Sequence, residues 1–172
     1  MNGAEKMLEK VTSLICHYER QVAIYREMLD VAREQQRLCI EANLAEEENL
    51  EKINLLLSKR QKQMDLIEEN QSEVLVIKES LKISLGLEEI SGEVLAGYIS
   101  FSEIGKLLEA ERKIINLLQQ ISTLDSKTQK LFQSGLDRLR RKIEKVQASK
   151  RANRAYNPAG QQREGFFIDR SK

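Results

Sequence analysis

The stretch Ser102–Ala152, SEIGKLLEAERKIINLLQQISTLDSKTQKLFQSGLDRLRRKIEKVQASKRA, decides how this chain is read. Apolar or tolerant residues return at Leu107, Ile114, Leu118, Ile121, Thr128, Phe132, Leu136, Leu139, Ile143 and Val146. Intervals of three, four and seven place them on one face of a single long helix. A second row, Leu117, Leu124 and Leu131, repeats every seven residues and lies roughly 60–100° to one side at ~100° per residue. One antiparallel neighbour covers the first row; covering both takes a second surface. Asp125 falls in the middle of the main stripe. A lone buried carboxylate is costly, so either it pairs with a cation such as Arg60 or the stripe is open to water there.

Upstream, two more helical patterns appear. From Ala4 the steps alternate four and three through Leu8, Val11, Ile15, Tyr18, Val22, Tyr25, Leu29, Ala32, Gln36 and Cys39. That is a coiled-coil seam over five heptads. Asn43 with Glu46 three residues on has the form of a capping box, and Glu46, Glu47 and Glu48 suit the positive end of a new helix. The next seam reads Leu50, Ile53, Leu57, Arg60, Met64, Ile67, Gln71, Val74, Lys78 and Leu81, so the two helices form an antiparallel hairpin. Gly86, Gly92 and Gly97 then interrupt the pattern. The expectation there is a connector with a short helix near Leu87–Ala96, whose Leu95, Tyr98 and Phe101 fold back onto the bundle. Ser102 is a suitable N-cap for the third helix.

The expected fold is therefore all-α, an elongated antiparallel hairpin or bundle of three long helices with coiled-coil-like packing and a short helical connector. The expected boundaries are a bundle over 1–152, with helices at about 4–42, 44–82 and 103–152, a connector over 84–102, and a flexible basic tail over 153–172. Composition agrees: of 172 residues 32% are charged and 5% aromatic, with no Trp and one Pro, as in long charged helices rather than compact sheets. The net charge of +1 hides an asymmetry. From Asp137 onward eleven Lys and Arg stand against four Asp and Glu, so the last fifth is basic and the body acidic.

Nothing in the pattern points to catalysis or a cofactor. His17 is the one histidine, and Cys16 beside it points about 100° away on a helix. Cys16 and Cys39 have no metal-ligand spacing. Glu46–Glu48 is explained by a helix start rather than a metal. The start of the chain has no signal-peptide pattern, and no apolar run reaches the ~18 residues of a membrane span. The basic run from Arg138 to Arg154 could contact nucleic acid, but it also complements a helix C-terminus, and the acidic body opposes a phosphate backbone. Phe166-Phe167-Ile168 either docks into the protein's own groove or serves as a short motif for another protein; Tyr156 has the same two readings.

Taken together, these features resemble the FlgN-type flagellar type III export chaperones. The resemblance is carried by the heptad helix with Tyr18 and Tyr25, the Ala42-Asn43 turn, the second helix with Lys59-Arg60, the glycine-broken connector and the long third helix. It is also carried by the ending Arg154-Ala155-Tyr156 … Gly165-Phe166-Phe167-Ile168-Asp169-Arg170-Ser171-Lys172. FliT-type chaperones of the filament cap protein end similarly. The length and long connector favour the FlgN type. The resemblance implies a cytoplasmic, non-enzymatic protein that holds the C-terminal amphipathic helix of hook–filament junction subunits of the FlgK/FlgL type. It then implies delivery to the cytoplasmic domain of the export-gate protein FlhA.

On that footing the surplus face of the third helix, Leu117, Leu124, Leu131, Phe132, Leu136 and Leu139, is the expected client surface. Tyr156, Phe166, Phe167 and Ile168 are the expected gate contact. No nucleic acid, no membrane insertion and a monomer or small homo-oligomer are expected. A structural coiled-coil assembly protein is the alternative from another class.

Overall fold

The computed structural model describes residues 3–41, 46–98 and 102–156. Four helices follow in order: α1 (Gly3–Glu41), α2 (Glu47–Leu85), α3 (Gly92–Tyr98) and α4 (Glu103–Tyr156). Among the described residues there is no strand, and the architecture is all-α, as the periodicity requires. The chain divides into two compact units, Met1–Phe132 and Gln133–Lys172.

In the first unit α1 and α2 form the antiparallel hairpin. Cross-links between them descend along α2 as they ascend α1. Lys10 Nζ donates to Ser84 Oγ at 2.9 Å, Asn70 Nδ2 to the His17 carbonyl at 2.8 Å, and Arg60 Nη1 to Gln35 Oε1 at 3.3 Å. The Asn43 turn and its cap lie outside the described residues. Glu46, in extended conformation, precedes α2, and its carbonyl accepts from the N–H groups of Asn49 and Leu50.

At its far end α2 stops at Gly86, which takes φ 65° and ψ 34°, a left-handed conformation that costs other residues energy. Both Gly86 and Leu87 turn their N–H groups back to the Lys82 carbonyl, closing the helix in a Schellman-type cap. Ser91 caps α3, its hydroxyl accepting from the Val94 N–H at 3.2 Å. Ile90 and Leu95 are buried there. Tyr98, expected to fold back with Leu95, is instead exposed, because the seven-residue helix turns only its Gly92/Leu95 edge inward. Phe101 lies outside the described residues.

The segment of α4 up to Phe132 lies against the hairpin and runs parallel to α1: Leu107 and Ala110 share one cluster with Val11, Leu14 and Tyr18, and Leu117 and Ile121 share the next with Val22, Met28 and Leu29. One core cluster joins Val11, Leu14 and Tyr18 to Leu81, Leu95 and Leu107; the other joins Val22 and Met28 to Ile67, Leu117 and Ile121.

The α2 seam departs from the expected one. Ile53, Ile67, Val74 and Leu81 are buried as expected, but the companion row is Leu56, Gln63 and Asn70. Leu57 and Met64 are exposed. The reason is chemical: Asn70 is hydrogen-bonded to His17, and Gln63 Nε2 donates to Glu27 at 3.4 Å. Asn70 uses both its amide atoms and is buried at little net cost, while Gln63 leaves Oε1 buried without a partner; α1 sits over that edge and leaves the greasier one uncovered.

In the second unit the described part is the rest of α4, residues 133–156. Its side chains from Arg140 to Arg154 are all exposed.

Candidate functional site

The two apolar rows of α4 meet different fates in the first unit. Leu117, expected on the partner-facing row, is 8% exposed and belongs to the core beside Val22 and Ile121. It is not surplus surface, because α4 rolls its Leu117/Ile121 edge onto α1. Leu124 is half-buried against the same cluster, and Leu131 and Phe132 are also half-buried. The exposed apolar surface is one residue round the helix, at Leu118 (43%) and Ile115.

Opposite Leu118, across a cleft of about 820 Å³, stand Met64 (51% exposed) and Leu75 (60%) on α2. Buried Met28, Ile67 and Ile121, with half-buried Tyr25, form the floor. Burial raises the pKa of the Tyr25 phenol above its ordinary value, so it stays a neutral hydroxyl. The walls are the flank of α2 that the buried amides left uncovered and the flank of α4 beside its core edge. Of the α2 seam read from periodicity, Arg60, Met64, Ile67 and Gln71 line this cleft.

One end of the cleft is set by an ion pair. Arg60 Nη1 donates to Asp125 Oδ1 at 2.6 Å and Arg60 Nη2 donates to Asp125 Oδ2, so the guanidinium grips the carboxylate with two parallel bonds. The carboxylate in the stripe is thus paired, and the same Arg60 also reaches Gln35 of α1. Asp65 and Glu68 line the α2 side, while Ser122, Ser126 and Gln129 line the α4 side.

An adjoining cleft shares Gln71 and Leu75 and continues toward α3. Here Lys78 Nζ lies 5.6 Å from the centre of the Tyr18 ring, a cation–π contact. Glu111 accepts the Gly92 N–H on both carboxylate oxygens, at 3.1 and 3.0 Å. Burial nevertheless holds its pKa above the ordinary carboxylate value. A Cβ on Gly92 would stand 2.7 Å from Glu111 Oε2 and 2.9 Å from Leu108 Cδ2, so glycine permits this approach.

Both clefts together are a trough with apolar walls and eight charged lining residues, of which Arg60 and Asp125 pair with each other. Such a surface receives the apolar stripe of another helix. Leu136 and Leu139, expected to continue the client row, belong to the second unit. The backbone of Tyr156 closes α4, whereas Phe166, Phe167 and Ile168 lie outside the described residues. Among the described residues no group of His, Cys, Asp and Glu could hold a metal ion, and no helix is long and apolar enough to cross a membrane.

A family model described as FlgN protein matches residues 7–164, which takes in all the described core and both clefts. No curated protein and no solved structure matches the chain. The chain belongs to the FlgN family, the flagellar export chaperones.

Proposed function

We propose that this chaperone acts in the cytoplasm and binds hook–filament junction subunits of the FlgK/FlgL type through the α2–α4 trough. The client's C-terminal amphipathic helix lays its apolar stripe between Met64 and Leu75 on one side and Leu118 on the other. The observation that carries this reading is the pairing of exposed apolar walls over a floor that is already packed. A helix can dock there without opening the core. Half-buried Phe132 continues the Leu118 row of α4 within the first unit, with half-buried Leu124 and Leu131 as proposed contacts on the neighbouring row.

Gross burial in such a contact is largely offset by ordering and association costs, which leaves a complex that can be released. Release is needed because the client is handed on, in this reading to the cytoplasmic domain of FlhA. Tyr156, Phe166, Phe167 and Ile168 are the proposed gate contact. The resting species is a monomer or small homo-oligomer.

Calorimetric titration with the C-terminal helix of a junction subunit tests the client site. Met64→Glu with Leu118→Glu is expected to weaken binding by about tenfold or more, since each places a charge against an apolar stripe, with helicity unchanged. Undiminished affinity in the folded double variant would falsify this placement.

A further inference from the structure

The trough has two unlike ends. It follows α2 from Arg60 to Lys78, ~27 Å at ~1.5 Å per residue, room for about five turns of a bound helix. On the Arg60 side stand Asp65 and Glu68. Neither makes an ion pair among the described residues, and Arg60 itself is held by Asp125. Asp65 accepts the Gln61 amide at 2.8 Å.

The other end carries unpaired cations. Lys78 is half-buried with Nζ over the Tyr18 ring, and Arg112 stands exposed on α4 at the same cleft. Among the described residues no carboxylate lies within ion-pair distance of either. Two carboxylates do line this end. Glu111 has both oxygens on the Gly92 N–H, and Glu93 is exposed on α3. Beside Lys78 lies Gln21, only 7% exposed, whose amide has no hydrogen-bond partner among the described residues. A buried amide left unpaired costs free energy that an incoming group recovers.

We propose that the Lys78 end of the trough is a socket for the C-terminal carboxylate of the bound helix, with Lys78 and Gln21 as its binding groups and Arg112 at its rim. The inference rests on the reading of the trough as the client site. It adds a direction: the bound helix runs parallel to α2 and antiparallel to α4. Its negative C-terminal end then faces Lys78 and Arg112, and its positive N-terminal end faces Asp65 and Glu68. The trough meets the start of α3 here, where Ser91 and Glu93 line it, so a helix lying along α2 reaches its last turn at Lys78. A terminal carboxylate accepts from the ammonium and the Gln21 amide together, a charge-assisted contact in a partly dry site.

The test uses the full chain and the C-terminal helix peptide of a junction subunit in two forms, free acid and C-terminal amide. Calorimetry is expected to show the free acid binding about tenfold tighter, with no change made to the protein. Lys78→Met, which keeps the aliphatic stem, should remove about tenfold of the affinity for the acid and little of that for the amide. A nitroxide on the peptide N-terminus should broaden the amide signals of Asp65 and Gln129 more than those of Lys78 and Ser91.

Equal affinity for acid and amide overturns the socket, as does a Lys78→Met loss of the same size for both, which would assign Lys78 to a side-chain carboxylate or to packing. Broadening centred on Ser91 overturns the direction. If Met64→Glu with Leu118→Glu still weakens binding in those cases, the trough stands and the socket alone falls. If that double variant binds both forms undiminished, or neither form binds the parent protein, the trough reading falls and the socket with it.

Discussion

His17 on α1 and Asn70 on α2 exchange two hydrogen bonds across the hairpin. The Asn70 amide donates from Nδ2 to the His17 carbonyl at 2.8 Å and so presents Oδ1 to His17 Nδ1, 2.7 Å away. Glu73 Oε2 also lies 3.3 Å from that nitrogen. With acceptors on both sides, Nδ1 is the nitrogen that carries the proton. Asn70 is fully buried, so the pair fixes the register of two helices whose aliphatic seams would otherwise tolerate slipping. Asn70→Ala is expected to cost roughly 1–3 kcal/mol. At ~2–4 °C per kcal/mol for a chain of this length, thermal melting should fall by several degrees. His17→Ala should cost less, because the Asn70-to-carbonyl bond survives. An unchanged melting point in Asn70→Ala would remove the register argument.

Adjacent residues Leu117 and Leu118 should separate folding from binding. Leu117→Ala leaves a cavity between α1 and α4 and is expected to cost roughly 2–4 kcal/mol. Leu118→Glu, on the exposed rim, should stay within about 0.5 kcal/mol of the parent stability while weakening client binding. Denaturant titration read beside binding calorimetry checks both. The reverse pattern would mean that α4 is rotated from the position described.

Arg60 is largely buried and Asp125 less so. Asp125→Ala leaves the guanidinium with only Gln35, and is expected to cost roughly 1–3 kcal/mol, below the range for a fully buried pair. Arg60→Met combined with Asp125→Leu should recover much of that loss. A double-mutant cycle measures the coupling, and a coupling near zero would show that the pair contributes no stability.

Glu111 gives the fold a pH dependence of defined sign. Burial is the dominant influence and raises its pKa; the Gly92 N–H and Lys78 oppose this, and Glu93 adds to it. The folded state therefore holds this proton to higher pH than the unfolded chain does. Stability from this group is highest below the ordinary carboxylate value and falls as pH rises through the raised one. Glu111→Gln should gain stability relative to the parent as pH increases through that window, while the two proteins converge in acid. Melting curves at several pH values follow the difference. A difference that shrinks with rising pH would contradict the burial argument.

The α1 seam was legible in sequence, since apolar periodicity alone marks Val11, Ile15, Tyr18, Val22 and Leu29, and all are buried. Leu14, Ile24 and Met28 are buried as well, because α4 covers a second face of α1 that no local pattern reveals. On α2 the buried companion row is displaced by one residue from the apolar pattern. Gln63 and Asn70 stand outside the apolar pattern, yet their partners come from α1, far away in sequence. That shift hides the cleft, since Met64 on its wall falls in the apolar seam pattern. The error at Leu117 has the same origin: two neighbouring apolar rows of α4 look alike until the roll of the helix against α1 is known.

The parallel run of α1 and α4 bears on how the protein assembles during synthesis. Every contact of the hairpin lies within the first 85 residues, whereas Val22 and Met28 must wait for Leu117 and Ile121. Short-range pairing closes ahead of long-range pairing because it forfeits less chain entropy. A nascent chain can therefore zip α1 onto α2 while the residues that complete both cores are still inside the ribosome. Pulsed hydrogen exchange during refolding should protect the amides of the hairpin earlier than those of Glu103–Phe132.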